Sequence, residues 1–209
     1  MSDNGGFSTA TRWRDEPLHT QNYPLNSGKG SAYEGGVRVP MIVKWPGVVE
    51  FNTKCNDYLI IEDFFPTILD MALVEDRETK QEIDGVSFMN LLKDNHNSSN
   101  NLLNSYVSDD KNRNLYWNFP NLWGNSGPGI GPTCTIRSGD WKLIYYYETG
   151  EKELFNITNH IGESVNHVNK EPKLVKRLSK ELGEFLRSVD AQRPSFKATG
   201  KECPWPDEI

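Results

Sequence analysis

Asp3 and Asn4, in the opening run Ser2-Asp3-Asn4-Gly5-Gly6, place a carboxylate and an amide oxygen side by side. Both are hard oxygen donors of the kind that calcium collects in a shell of about six to eight. Two residues leave most of such a shell to other groups. The same five residues also have the composition of an Asx turn, which needs no ligand. Further on, Lys29 stands between Gly28 and Gly30, so the backbone can approach a bound group while an ammonium offers it a compact positive charge. That is anion-binding chemistry, and a lysine in a surface loop has the same local sequence. Each motif is ambiguous by itself.

Other residue types with chemical potential are more scattered. Glu34 and Arg38 flank the second motif and read as a structural salt bridge or a loop-closing hydrogen bond. His19, His96, His160 and His167 lack metal-ligand spacing and read as surface residues, but His19 lies between the two motifs and is a candidate substrate contact. Trp117 and Trp123, with Tyr116, sit in or beside a Gly/Pro-rich stretch and could stack on a sugar ring or pack in a core. Cys55, Cys134 and Cys203 show neither C-x-x-C nor zinc spacing, and three buried thiols is the simplest reading. Asn97-Ser98-Ser99 and Asn156-Ile157-Thr158 match the glycosylation triplet, which matters only on a eukaryotic secretory route.

The elements that must position these residues follow from the pattern. Residues 1–38 are loop-like, rich in Gly, Asn, Ser and Pro. Val39 to Trp45 is a short apolar run closed by Pro46-Gly47, which predicts a buried strand. From Tyr58 to Met71 the apolar residues recur at helical spacing, with Asp57 or a residue beside it as N-cap and Pro66 kinking or restarting the helix. Asp84 to Phe88 leads a short helix to Leu92, and residues 93–104 read as a polar surface linker. Thr133 to Arg137, Trp141 to Tyr147 and Glu151 to Phe155 have strand composition and are joined by turns at Ser138-Gly139-Asp140 and Glu148-Thr149-Gly150. Pro172 to Val189 carries Leu174, Val175, Leu178, Leu182, Phe185, Leu186 and Val189 on one helical stripe. A meander with one covering helix is an α+β subdomain.

At 209 residues, with 36% apolar and 11% aromatic content, the chain has enough material for a packed core. A net charge of -6 without a run of five or six like charges gives nucleic acid no footprint. There is no continuous apolar run long enough for a membrane span and no signal peptide in this chain.

Taken jointly, Ser2-Asp3-Asn4-Gly5-Gly6 followed by Asn22-Tyr23-Pro24-Leu25-Asn26-Ser27-Gly28-Lys29-Gly30-Ser31-Ala32-Tyr33-Glu34-Gly35-Gly36-Val37-Arg38-Val39-Pro40 resembles the second half of the sulfatase family, in the alkaline-phosphatase-like superfamily. The resemblance continues through Asp63-Phe64-Phe65-Pro66-Thr67, Asp84-Gly85-Val86-Ser87-Phe88, Leu115-Tyr116-Trp117-Asn118-Phe119-Pro120, Ile136-Arg137-Ser138-Gly139-Asp140-Trp141-Lys142-Leu143 and Glu153-Leu154-Phe155-Asn156. It implies a partial α/β alkaline-phosphatase-like catalytic domain over residues 1–100, then a small α+β subdomain with antiparallel sheet and C-terminal helix over 101–209.

The resemblance further implies calcium ligation by Asp3 and Asn4, sulfate binding by Lys29, and a formylglycine nucleophile from C/S-x-P-x-R. None of the three cysteines lies in that motif, so the nucleophile and the rest of the metal shell belong to a missing N-terminal half. Relatives often carry histidine where Asn118 stands, a departure from the family pattern at a position that, with Trp117 and His19, is a candidate substrate contact. The implied partner is a sulfated carbohydrate or other sulfate ester, and the implied setting is periplasmic, secreted or lysosomal. Two alternatives stay open on sequence: a phosphoesterase of the same superfamily, and a catalytically dead glycan-binding remnant.

Overall fold

The computed structural model describes residues 1–8, 17–76, 78–93, 113–122 and 127–209. They form two compact units, one of residues 1–41 with 114–209 and one of residues 42–113. The expected division at residue 100 lies outside the described residues.

The first unit is built on a four-stranded antiparallel meander, β1 (Asn114–Phe119), β2 (Thr133–Ser138), β3 (Trp141–Tyr146) and β4 (Lys152–Asn156), in sequential order. The register is continuous across the sheet: Tyr116 opposes Ile136, Ile136 opposes Leu143, and Leu143 opposes Leu154. Gly139 and Gly150, both at positive φ, close the two tight turns. The expected C-terminal helix runs over Pro172–Ser188, and Pro172 starts it because its missing N–H is an orphan there in any case. Its buried Leu178, Leu182 and Leu186 meet Ile136, Leu143 and Leu154. Full burial of each such side chain contributes about 1.5–3 kcal/mol. Phe185 stacks flat on Tyr116, with ring centroids 3.7 Å apart.

Side chains alternate across a strand, so the other face carries Arg137, Lys142, Ile144, Glu153 and Phe155. Tyr33 packs there against Ile144, Phe155 and Ile157, just ahead of a one-turn helix over Glu34–Val37, α1. The loop that bears the glycine-lysine motif is thereby applied to the sheet face opposite the long helix.

In the second unit, a 3₁₀ turn (Ile61–Asp63) leads into α2 (Phe64–Met71), and α3 spans Met89–Lys93. The helix restarts two residues before Pro66, whose ring then lies in the first turn where no N–H is needed. Asp57 is not the cap; its carboxylate accepts a hydrogen bond from the Cys55 thiol. The capping carboxylate is that of the fully buried Asp63, which accepts the N–H of Ile60 at 2.9 Å and of Val86 at 2.9 Å and pairs with Arg113 at 2.8 Å.

Two further expectations are corrected. Val39 to Trp45 is not a buried strand: half-buried and exposed residues alternate, Ile42 is 90% exposed, and no described strand forms a ladder with it. An apolar run supplies side chains for a sheet, but a strand exists only through its neighbours' hydrogen bonds. Cys134 and Cys203 are buried free thiols, while Cys55 is exposed. No described helix is long and apolar enough to cross a membrane. The long helix of the first unit is α4.

Candidate functional site

The two motifs singled out in the sequence meet through their backbones. The Gly5 N–H donates to the Gly36 carbonyl at 2.9 Å, and the Lys29 N–H donates to the Gly6 carbonyl at 2.9 Å. The Asn22 carboxamide bridges the carbonyls of Gly6 and Ser27 at 2.9 and 2.8 Å. These contacts are too close for side chains. A Cβ on Gly5 would lie 1.8 Å from the Gly35 carbonyl oxygen, and one on Gly28 would lie 2.4 Å from that of Gly6. Glycine is needed here because backbone is packed on backbone.

What the stack presents outward is polar. Asp3 and Lys29 are exposed and Asn4 is half-buried. The turn is held by the Ser2 hydroxyl donating to the Asn4 carbonyl at 2.9 Å, not by an Asx side chain, which leaves the Asp3 and Asn4 side-chain oxygens outside that bond. Two hard oxygens beside a glycine-packed loop suit part of a calcium shell in donor type. Among the described residues, no group of three or more His, Cys, Asp or Glu side chains could hold a metal.

Beneath this surface lies a buried ionic cluster. Lys142 on β3 is fully buried, and its ammonium reaches Glu34 at 3.0 Å and Glu163 at 2.9 Å. The second Glu163 oxygen accepts the backbone N–H of Glu34 at 2.7 Å. Arg137 and Arg38 lie 3.5 and 3.4 Å from the Glu34 carboxylate, so the expected Glu34–Arg38 bridge is one part of a larger network. Burial alone would raise the Glu34 carboxyl, but Lys142, then Arg137 and Arg38, outweigh it and hold it below the ordinary carboxylate value. Glu163 goes the other way: burial, with the Glu34 charge adding to it, outweighs Lys142 and lifts its carboxyl to about 7.

Sequence reasoning missed Lys142 and Glu163. The available signal was a lysine at an inward position of an otherwise apolar strand, Trp141-Lys142-Leu143-Ile144, which asks for a buried counter-charge. A smaller cluster lies nearby, where Tyr33 and Tyr146 donate their hydroxyls to Glu153 at 2.8 and 2.6 Å. Burial, followed by Glu153, raises the Tyr33 hydroxyl and keeps it protonated.

The remaining candidates are placed apart. Trp117 and Asn118 are consecutive in β1 and so point to opposite faces. Asn118 faces α4, where its oxygen accepts the Tyr147 hydroxyl at 2.9 Å and its nitrogen donates to the Gln192 carbonyl at 2.8 Å. Trp117 is half-buried on the other face. His19, at φ 56°, lays its ring against Gly127, where a Cβ would be 2.5 Å from Cε1. His160 is exposed, and His167 is half-buried with its ring edge-on to Trp141. Trp123, His96 and the triplet at Asn97 lie outside the described residues. At Asn156 the side-chain oxygen accepts the Asn159 N–H.

The family model described as N-sulphoglucosamine sulphohydrolase, C-terminal, matches residues 28–192, which take in Lys29, the ionic cluster, the sheet and all of α4. The chain belongs to the sulfatase family.

It is 34% identical to a sulfatase of Formosa agariphila, over 98% of this chain and 35% of that protein. It is 26% identical to the steryl-sulfatase of Rattus norvegicus, over 97% of this chain and 36% of that protein. Among solved structures it is similar to Ps i-CgsB, with a TM-score of 0.64 at 25% identity over 91% of this chain and 36% of the other. Ps i-CgsB in complex with k-i-k-neocarrahexaose gives a TM-score of 0.62 at 26% identity, over 91% of this chain and 36% of the other. The chain spans about a third of the length of these relatives.

Proposed function

We propose that this chain is the C-terminal portion of a sulfatase that hydrolyses sulfate esters of carbohydrates. The observation that carries the reading is the pair of backbone bonds, Gly5 to Gly36 and Lys29 to Gly6, which tie Asp3-Asn4 and Lys29 into one glycine-packed surface. The carbohydrate class is supported by the likeness to Ps i-CgsB, whose solved complex holds k-i-k-neocarrahexaose. A periplasmic, secreted or lysosomal setting is part of the same reading.

In this reading Asp3 and Asn4 supply two oxygen ligands to calcium, and Lys29 faces the sulfate oxygens. Calcium bound there would supply positive charge to the sulfate group, and the attacking oxygen would come from a formylglycine outside these 209 residues. The Lys29 ammonium adds a fixed charge where the oxygens gain negative charge as the S–O bond breaks. Its exposure lets it reach a substrate, and its backbone bond to Gly6 fixes where the side chain starts. The 209 residues alone contribute binding groups without a nucleophile and are inactive.

The test compares sulfate release from a sulfated oligosaccharide with phosphate release from the matching phosphate ester, using the full-length enzyme with and without a calcium chelator. Sulfate release that chelation abolishes is expected. Preferential phosphate release would favour a phosphoesterase, and glycan binding without hydrolysis would favour a remnant; either would overturn the reading.

A further inference from the structure

We infer that Lys142 and Glu163 are positioning residues that set the Gly28–Lys29 loop from beneath, through Glu34. The inference rests on the reading of Lys29 as the residue that meets the sulfate group. Glu34 is gripped twice, once through its carboxylate by Lys142 at 3.0 Å and once through its backbone N–H by Glu163 at 2.7 Å. The two grips are themselves joined, because Lys142 also holds Glu163 at 2.9 Å. Side-chain direction and backbone position of one residue are therefore fixed together from β3 and from the loop at Glu163.

From Glu34 the constraint passes along backbone without slack. The Gly35 N–H donates to the Asn26 carbonyl at 2.9 Å, and a Cβ on Gly35 would lie 2.2 Å from that oxygen. The Gly36 carbonyl accepts the Gly5 N–H, and the Gly6 carbonyl next to it accepts the Lys29 N–H, each at 2.9 Å. A shift of Glu34 thus moves both neighbours of the Lys29 loop. Stability alone does not call for charges here. Replacing a buried ion cluster by neutral groups of similar volume is often neutral or favourable, so the buried charged side chains of Glu34, Arg137, Lys142 and Glu163 point to geometry as the property they serve.

The test uses the full-length enzyme with Lys142→Met and Glu163→Gln combined, which removes the lysine together with the carboxylate it would otherwise strand and leaves the Glu34 carboxylate with Arg137 and Arg38. The combined variant is expected to melt near the parent, with kcat on a sulfate ester lower by about 100-fold and KM changed much less, since a displacement of about 1 Å has that effect on a rate. In a Lys29→Ala background the same two changes should cost less than about tenfold, because a misplaced ammonium is no longer there to lose. Parental turnover in the combined variant, or a full second 100-fold loss in the Lys29→Ala background, overturns the inference.

Glu163→Gln alone provides the independent measurement if the combined variant does not fold. Faster amide exchange at Lys29 and Gly5, with the β3 amides unchanged, is expected, and unchanged protection at Lys29 overturns the inference. Full turnover in Lys29→Ala by itself sinks the reading of Lys29 instead, and amide exchange still decides whether the cluster positions the loop.

Discussion

Replacing Glu163 by glutamine removes a carboxyl whose proton the folded chain holds more tightly than the unfolded chain does. Its folded value of about 7 lies above the ordinary 4.5. A raised carboxyl stabilises the fold fully below 4.5, and that contribution is lost as the pH climbs through about 7. Glu34, held below its ordinary value, behaves in the opposite sense: its contribution is present above 4.5 and is lost as the pH falls through its lower folded value. Between 4.5 and 7, then, the slope comes from Glu163, while Glu34 stays ionised against Lys142, Arg137 and Arg38. Each unit of displacement corresponds to about 1.4 kcal/mol, so the window is worth ~3 kcal/mol in all.

The assay is urea unfolding of the parent and Glu163→Gln at intervals from pH 4.5 to 8, followed by the fluorescence of Trp141 and Trp205 in the first unit. Parent stability minus variant stability should shrink by up to ~3 kcal/mol across the window and level off above it. A difference that is flat, or that grows with pH, would show that Glu163 is ionised in the fold across the whole range, and the account of the cluster would be wrong.

Three other outcomes are expected. Lys29→Ala in the full-length enzyme should lower turnover by about 10²–10³ while changing stability by no more than about 0.5 kcal/mol, the usual range for a surface site. Lys29→Arg should restore only part of the rate, because a planar fork does not reproduce a point charge; normal turnover in Lys29→Ala removes the residue from the pocket. Leu182→Ala, at a position with no exposure between α4 and the sheet, should cost about 2–5 kcal/mol in denaturant unfolding, and a loss under about 1 kcal/mol would contradict the packing. Isothermal titration of calcium into the isolated 209 residues should show weak binding or none; a micromolar site lost in Asp3→Ala would mean that the shell is completed within this chain.

The elements that report themselves locally were legible in the sequence. The stripe from Leu174 to Leu186, with proline at its start, determines α4 because helical periodicity and a cap are properties of neighbouring residues. The turns at Gly139 and Gly150 and the aromatic run from Trp141 determine the hairpins for the same reason. The joint pattern around Asp3, Asn4 and Lys29 carries the family, because glycines that pack backbone on backbone leave a fixed signature in the chain.

Tertiary structure decided the rest. Val39 to Trp45 has the composition of a strand, but pairing depends on what lies beside it, and no described strand does. Asn118 and Trp117 are adjacent in sequence, yet the pleat sends one to α4 and the other to the opposite face. Asp63, not Asp57, caps the second unit, because it alone of the two is buried where the N–H groups of Ile60 and Val86 converge. The joining of Lys142 to Glu34 and Glu163 spans 108 and 21 residues of sequence, and a charge can be kept out of water only where the fold brings its partners to it.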